Sequence, residues 1–246
     1  YPFGKFPLPS EAPWYEPLSL LTMIASNTRK INLATAILIT PLRNPALLAK
    51  TAASIDVISK GRLELGVGLG WQKEEFDTAG VSFDDRAEIF WETLDICKAL
   101  WQDSPASFKG KHFNFDDIWC HPQPIQGQNI PLLFGLKMTN ENANKIAKLG
   151  HGWIPIKTSR DFISAGKEVL CDAFNKAGRQ DKPRIRGQLP TCVDDNGVPN
   201  IDLTLKELEK SMASGLDEIE VFPINFVQAP SDLFKVLQLI SEVKKS

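Results

Sequence analysis

An apolar stretch at residues 61–71 runs into three alternating glycines, Gly66, Gly68 and Gly70, and then Trp71. A glycine inside a strand has nothing to pack and weakens it, unless another group must come close to the backbone. The run therefore reads as a strand whose end is kept bare. Two explanations remain open at this point: the glycines allow tight packing inside a barrel, or they form a floor on which a flat or bulky ligand lies. The run does not fit a Rossmann dinucleotide site, since the G-x-G-x-x-G spacing would need glycine at 71 and no early acidic residue after a second strand completes the fingerprint.

The strand belongs to an alternation of strand and helix signals with short breaks, the pattern of βα units around a parallel sheet. Helices are predicted at 17–27, 45–58, 73–78, 84–101, 139–149, 160–177, 203–213 and 231–245. Strands are predicted at 31–39, 62–67, 131–135, 151–156, 184–190 and 218–222. The β-branched run at 31–39 reads as a strand buried on both faces. Asn44 and Pro45 give the next helix an N-cap and a first residue. Residues 103–130 break the rhythm with a small hairpin near 107–115 and a Pro/Gly loop, an insertion rather than a domain. The main strands number six, whereas a closed (β/α)8 barrel needs eight. Either the sheet is open, or two βα units lie upstream of residue 1, where the chain opens with a proline-rich loop and no Met.

Composition removes several classes. Among 246 residues, 28 Lys and Arg against 30 Asp and Glu leave a formal charge of -2 and no basic footprint for nucleic acid. The longest apolar runs are too short to span a bilayer. Cys97, Cys120, Cys171 and Cys192 are widely spaced, with no Cys-x-x-Cys pair and only three histidines, so neither a metal site nor a disulfide framework is expected. With no secretory signal, a reduced, cytoplasmic compartment fits best.

Gly135, Leu136, Lys137, Met138 and Thr139 join a strand end to a helix start, where backbone N–H groups can take phosphate and Lys137 would add charge; the plainer alternative is an N-cap threonine beside a solvated lysine. Arg43 could meet an anion or form a surface ion pair. Thr35 and Ala36 interrupt an apolar strand with small side chains. Glu74, Glu75 and Asp77 offer general bases but read better as a solvated helix face. His112, His121 and His151 are scattered and lack partners. No G-x-S-x-G supports hydrolase chemistry.

Residues 31–45, Ala49 and Lys50, the run 55–62 (Ile-Asp-x-x-Ser-x-Gly-Arg), the Gly-x-Gly-x-Gly-Trp strand with Phe76 and Gly80, and residues 94–101, 108–113 and 150–155 together resemble the bacterial luciferase-like monooxygenase family. The resemblance covers most of the chain and is weakest after about residue 180. It implies a single (β/α)8 TIM barrel domain over 1–246, with 103–130 inserted. Residues 31–39 would be the third barrel strand, so strand 1, helix 1 and strand 2 would precede Tyr1, together with the family's usual catalytic position. No catalytic residue is therefore assigned.

The resemblance also implies a cofactor, either reduced FMN or coenzyme F420. Its ring would rest on a non-proline cis peptide between Ala36 and Ile37, flanked by Gly68, Leu69 and Gly70. Its phosphate would sit at Gly135, Leu136, Lys137, Met138 and Thr139, where the commoner Gly-Gly-Ser/Thr pattern is missing. Trp14, Trp71 and Phe76 would line an apolar substrate pocket, with Trp153 either lining it or in the core. The implied activity is oxygenation of a small organic substrate with reduced flavin and O2, or hydride transfer with F420. The alternatives are a non-catalytic flavin-binding protein of this fold and an unrelated α/β barrel that binds a phosphorylated ligand. A homodimer through flank helices is the one macromolecular partner implied.

Overall fold

The computed structural model describes residues 14–227, 229 and 231–243, and the chain divides into two compact units, Tyr1–Gly135 and Leu136–Ser246. The proline-rich opening and the last two residues of the final predicted helix lie outside the described residues.

The first unit runs α1 (Pro17–Asn27), β1 (Leu33–Ala34), β2 (Leu38–Ile39), α2 (Pro45–Ser59), β3 (Leu63–Gly68), α3 (Lys73–Ala79), α4 (Arg86–Gln102), a hairpin of β4 (Ala106–Lys109) and β5 (Asn114–Ile118), and β6 (Leu132–Phe134). All six residues of β3 are buried, and it pairs in parallel with β1 and β2 on one side and β6 on the other. Helices α2 and α4 pack together, tied by the Trp101 indole N–H donating to the Ala49 carbonyl at 3.0 Å. Glu92 on α4 holds the hairpin by accepting from the backbone N–H groups of Lys111, His112 and Phe113.

The second unit runs α5 (Asn140–Leu149), β7 (Gly152–Trp153), α6 (Arg160–Lys176), β8 (Arg184–Gln188), α7 (Ile201–Lys206), α8 (Leu208–Met212), β9 (Glu218–Glu220) and α9 (Asp232–Val243). Its strands β7, β8 and β9 are parallel neighbours. Each unit therefore has the parallel strand and crossover helix pattern of an α/β barrel. Among the described residues no helix is long and apolar enough to cross a membrane.

Two expected elements differ. The strand at 31–39 is broken into two short pieces, and Ala34, Ala36 and Ile37 face outward rather than into a core on both sides. The register gives the reason. From Ala34 to Leu38 the chain advances four residues while its partner advances three, from Glu64 to Val67, so one residue is extra. The surplus forms a bulge, which ends regular pairing and turns side chains outward. The helix expected at 203–213 is divided at Glu207 into α7 and α8.

The α2–β3 turn explains the 55–62 motif. Lys60 and Gly61 both take left-handed backbone, at φ 61° and 78°, and the Gly61 N–H returns to the Asp56 carbonyl at 2.8 Å. The buried Asp56 carboxylate accepts from the Gln126 backbone N–H at 3.0 Å and from its side-chain amide at 2.8 Å, which anchors the loop after the hairpin. Arg62 donates to the carbonyls of Ser59, Ala25, Thr28 and Ile31 and to the Thr28 hydroxyl, at 2.6–3.1 Å. One guanidinium thus satisfies carbonyl groups at the C-terminal ends of both α1 and α2, where a cation also complements the helix dipoles.

Arg62→Ala leaves those carbonyls unpaired and is expected to lower unfolding stability by about 3 kcal/mol, read as a shifted urea midpoint at unchanged slope. Arg62→Lys is expected to recover little of it, since a point charge cannot serve a fork of this width.

Candidate functional site

The bulge between β1 and β2 is the centre of the site in the first unit. Thr35 anchors it: its hydroxyl donates to the Gly66 carbonyl at 2.8 Å, and its own carbonyl accepts the Gly66 N–H at 3.1 Å. The next bond, Ala36–Ile37, is a non-proline cis peptide, at the place the family resemblance implied. Ala36 is exposed, and Ile37 keeps 38% of its surface open although Leu38 beside it is buried.

The glycines make room for this bulge. A Cβ on Gly135 would lie 1.9 Å from Ile37 Cδ1, and one on Gly68 would lie 2.8 Å from Ile37 Cγ2. Both positions must be bare for Ile37 to sit across the ends of β3 and β6. Gly70, at φ 77°, lies against Ile39 and the Phe76 ring, with clearances of 2.7 and 2.9 Å for an added Cβ. The packing and floor explanations of the sequence therefore merge. Side chains pack on the glycines, and the surface they present outward is Ala36 and Ile37. Leu69 is half-buried beside them.

The three predicted pocket aromatics separate. Trp71 is 60% exposed just beyond Gly70. Trp14 is also exposed and lines a cavity of about 290 Å³ together with Pro17, Ile37, Leu38, Ile39, Leu42, Arg43 and Glu75. Phe76 is a correction: it has no exposed surface and packs edge-on against Phe83 at 5.2 Å, so it is core beneath the strand end and lines no open pocket. The helical period separates Phe76 from Glu75, which faces the cavity while Glu74 is solvated and Asp77 pairs with Lys73 at 2.7 Å. Grouping the three acids as one solvated face missed this, because adjacent helical residues point about 100° apart.

Arg43 also lines the cavity and pairs with Glu16 at 2.7 Å. Burial tends to raise the Glu16 pKa, but its hydrogen bonds with Ser19 and the Arg43 charge outweigh that and hold the carboxyl below the usual range. Glu16 is also the N-cap of α1, accepting the Ser19 N–H at 2.7 Å.

In the second unit, Leu136 is buried, and its carbonyl accepts the Trp153 indole N–H at 2.8 Å. Trp153 is itself fully buried, a core residue. Lys137 is exposed, Met138 half-buried, and Thr139 caps α5 by accepting the Asn142 N–H at 3.2 Å. Glu141 in the first turn of α5 pairs with Lys145 at 2.9 Å. On β8 and β9, Arg184 and Arg186 both clamp Glu218, while burial pushes the carboxyl of Glu220 up, Arg186 lowers it and Glu218 adds to the rise.

Of the histidines, His112 does have a partner, Glu88 at 2.9 Å. Asp85, Glu88 and His112 are the one grouping among the described residues close enough to share a metal ion. The Lys111 ammonium already occupies Glu88 Oε2, so the cluster is an ion-pair network rather than an open cation site. The four cysteines are free thiols.

A family model described as luciferase-like monooxygenase matches residues 3–197. An uncharacterized protein of Mycobacterium tuberculosis is 35% identical over 171 residues, covering 69% of this chain and 60% of that protein. The pyrimidine monooxygenase RutA of Variovorax paradoxus is 31% identical over 175 residues, covering 67% of this chain and 45% of its own length. The chain thus spans less than two thirds of these relatives. Among solved structures, an F420-dependent secondary alcohol dehydrogenase in complex with an F420-acetone adduct superposes with a TM-score of 0.74 at 19% identity, covering 85% of this chain and 79% of that one, a likeness of fold.

Two substitutions distinguish the kinds of glycine. Gly70→Ala forces a side chain into left-handed backbone against a buried ring, and is expected to cost about 2 kcal/mol. Gly135→Ala meets only the Ile37 side chain, at Cδ1 and Cγ1, which is half-open and can turn away, so a loss below about 1 kcal/mol is expected. Chemical denaturation of both variants checks the order. In the second unit, a raised Glu220 pKa means its stabilising contribution is present below the ordinary value of 4.5 and is lost as pH rises through the raised one. Glu220→Gln is therefore expected to be the more stable protein at neutral pH, with the difference closing below pH 4.5 when melts are compared across pH.

Proposed function

The chain belongs to the luciferase-like monooxygenase family, and from that premise we propose that it is part of an oxidoreductase that uses reduced FMN or F420 on a small organic substrate. The observation that carries this reading is the outward-facing Ala36 and Ile37, held between buried residues of one strand and seated on two bare glycines. A flat ring system needs an apolar platform with no side chain rising through it, and Ile37 lying across Gly68 and Gly135 is such a platform. The residues present fit the group.

In this reading Ala36 and Ile37 would hold the ring, with Gly68, Leu69 and Gly70 beside them, and Gly135 acts as the seat of Ile37. In the second unit, taken by itself, Lys137, Met138 and Thr139 are the proposed anion-binding turn. The exposed Lys137 ammonium and the N–H groups at the α5 start favour an anion there. The side chain of Leu136 takes no part, since it is buried and its carbonyl is engaged by Trp153. When bound, a reduced flavin supplies electrons for oxygen transfer from O2, whereas F420 supplies or takes a hydride.

The residues of this chain bind and orient. The strand ends fix the plane of the floor, Trp14 lines the cavity beside Ile37, and Trp71 stands exposed just beyond Gly70. Trp14 and Trp71 are the substrate-side residues. The pyrimidine monooxygenase relative supports oxygenation of a small ring compound, and the family premise keeps hydride transfer with F420 beside it.

Anaerobic titration with FMN, reduced FMN and F420, read by fluorescence, tests the proposal. Saturable binding of reduced FMN directs the assignment to oxygenation, and binding of F420 alone to hydride transfer. Ile37→Asp places a charge on an already open position, so it is expected to keep the melting temperature and weaken binding at least tenfold. A folded chain that bound none of the three, or an Ile37→Asp variant that bound as well as the parent, would falsify the proposal.

A further inference from the structure

We propose that the recess between the C-terminal ends of α1 and α2 is an anion site that takes a phosphate group. It is independent of the cofactor reading. Arg62 stands just before β3, whereas the Ile37 platform lies at the far end of that strand, about 17 Å away along its six residues.

The ends of two helices would by themselves repel an anion. Each C-terminal pole carries about half a negative charge. Arg62 donates to carbonyls of both ends, and its one full charge offsets the two poles. Arg29 and Lys60 line the recess together with Arg62, and no carboxylate lines it. Asp56, one turn back on α2, is turned to Gln126. The recess therefore holds two positive charges that nothing in its lining balances, in a chain whose formal charge is -2.

Two of the cations are held together by the backbone. The Thr28 carbonyl accepts from Arg29 Nη1 at 2.9 Å and from Arg62 Nη2 at 3.0 Å. Sharing one acceptor sets the guanidinium groups side by side, a repulsive arrangement that an anion beside them relieves. Arg29 Nη1 also donates to the Ser26 carbonyl at 2.8 Å, which fixes the group over the end of α1. Its Nε and Nη2 make no hydrogen bond among the described residues, and that pair suits a two-pronged contact to an oxyanion. The exposed Lys60 ammonium likewise has no partner among the described residues.

The donors and walls set the ligand class. The hydroxyls of Ser26, Thr28 and Ser59 each already donate to a carbonyl of their own helix, so the donors left for a ligand are those of Arg29 and Lys60. Two unbalanced cations match a dianion, the state of a phosphate ester above its second pKa, better than a singly charged carboxylate. The recess holds about 230 Å³, and Ile58, 46% exposed, gives it an apolar wall. A small phosphate ester therefore fits as well as inorganic phosphate.

The test is calorimetric titration of the chain at about pH 8, where phosphate is a dianion, and at constant ionic strength, since exposed charges are screened by salt. The probes are phenyl phosphate, inorganic phosphate and benzoate. Saturable phosphate binding is expected, with benzoate at least tenfold weaker than phenyl phosphate. Bound phosphate is also expected to raise the melting temperature as its concentration rises. Arg29→Gln and Lys60→Asn are each expected to weaken phosphate binding at least fivefold and to blunt that rise. Asparagine suits the left-handed backbone at 60, so if Arg29→Gln fails to fold, Lys60→Asn decides. Lys137→Ala is the control for the anion-binding turn of the second unit. Tighter binding of phenyl phosphate assigns the recess to esters, and equal binding assigns it to the free ion; both uphold the site. The absence of saturable phosphate binding overturns the proposal, as does benzoate binding as tightly as phenyl phosphate. So do folded Arg29 and Lys60 variants that bind like the parent, or binding that only Lys137→Ala removes.

Discussion

The Arg62 guanidinium is the constraint on which the first unit depends. Two helices end beside it, each with carbonyls that no intrahelical N–H can reach, and the most buried strand of the unit begins one residue later. Serving Ser59, Ala25, Thr28 and Ile31 from one planar group fixes where α1 stops, where α2 stops and where β3 starts. The same turn carries Asp56, whose carboxylate takes the Gln126 N–H and so secures the loop after the hairpin from inside the core. A buried carboxylate is costly unless its lone pairs are used, and both of its oxygens accept here. The turn at one end of β3 therefore positions what stands at its other end, the bare strand terminus on which Ile37 lies.

This division of labour separates the two motifs that marked the family. Asp56, Ser59, Gly61 and Arg62 are spent on backbone hydrogen bonds and a left-handed turn, far along β3 from the glycines. Gly68, Gly70 and Gly135 act through what they lack. Their contribution is clearance for Ile37, Ile39 and Phe76, so the surface they create is made of other residues. A motif that recurs with a chemistry need not touch it. Here one holds the scaffold and the other seats the platform.

The sequence was most legible where local rules govern. The Asn44 cap with Pro45, the α1 limits and the 107–115 hairpin follow from capping, periodicity and turn chemistry, and the structure has them there. It was least legible where three-dimensional registration decides. The β-branched run at 31–39 looks like one continuous strand, and only its pairing with β3 reveals the surplus residue that makes the bulge. Phe76 and Glu75 are neighbours in sequence, yet one is entirely buried under Gly70 and the other faces a cavity; the helix phase that separates them is set by packing against Phe83. Arg43 read as an anion contact or a surface ion pair, and only the structure names the partner, Glu16, 27 positions earlier at the start of another helix.

The arrangement around β2 follows from that bulge. A regular strand would have continued its alternation, leaving no outward pair of residues at Ala36 and Ile37. The extra residue instead turns Ile37 across the ends of β3 and β6, and pairing resumes at Leu38 and Ile39, whose side chains line the same cavity as Ile37. The short 3₁₀ turn that follows, Thr40–Leu42, brings Leu42 and Arg43 back onto that cavity. One surplus residue thus gives a platform on one side of Ile37 and a lined hollow on another. Because Ile37 belongs to both, a change in the bulge moves the two surfaces together.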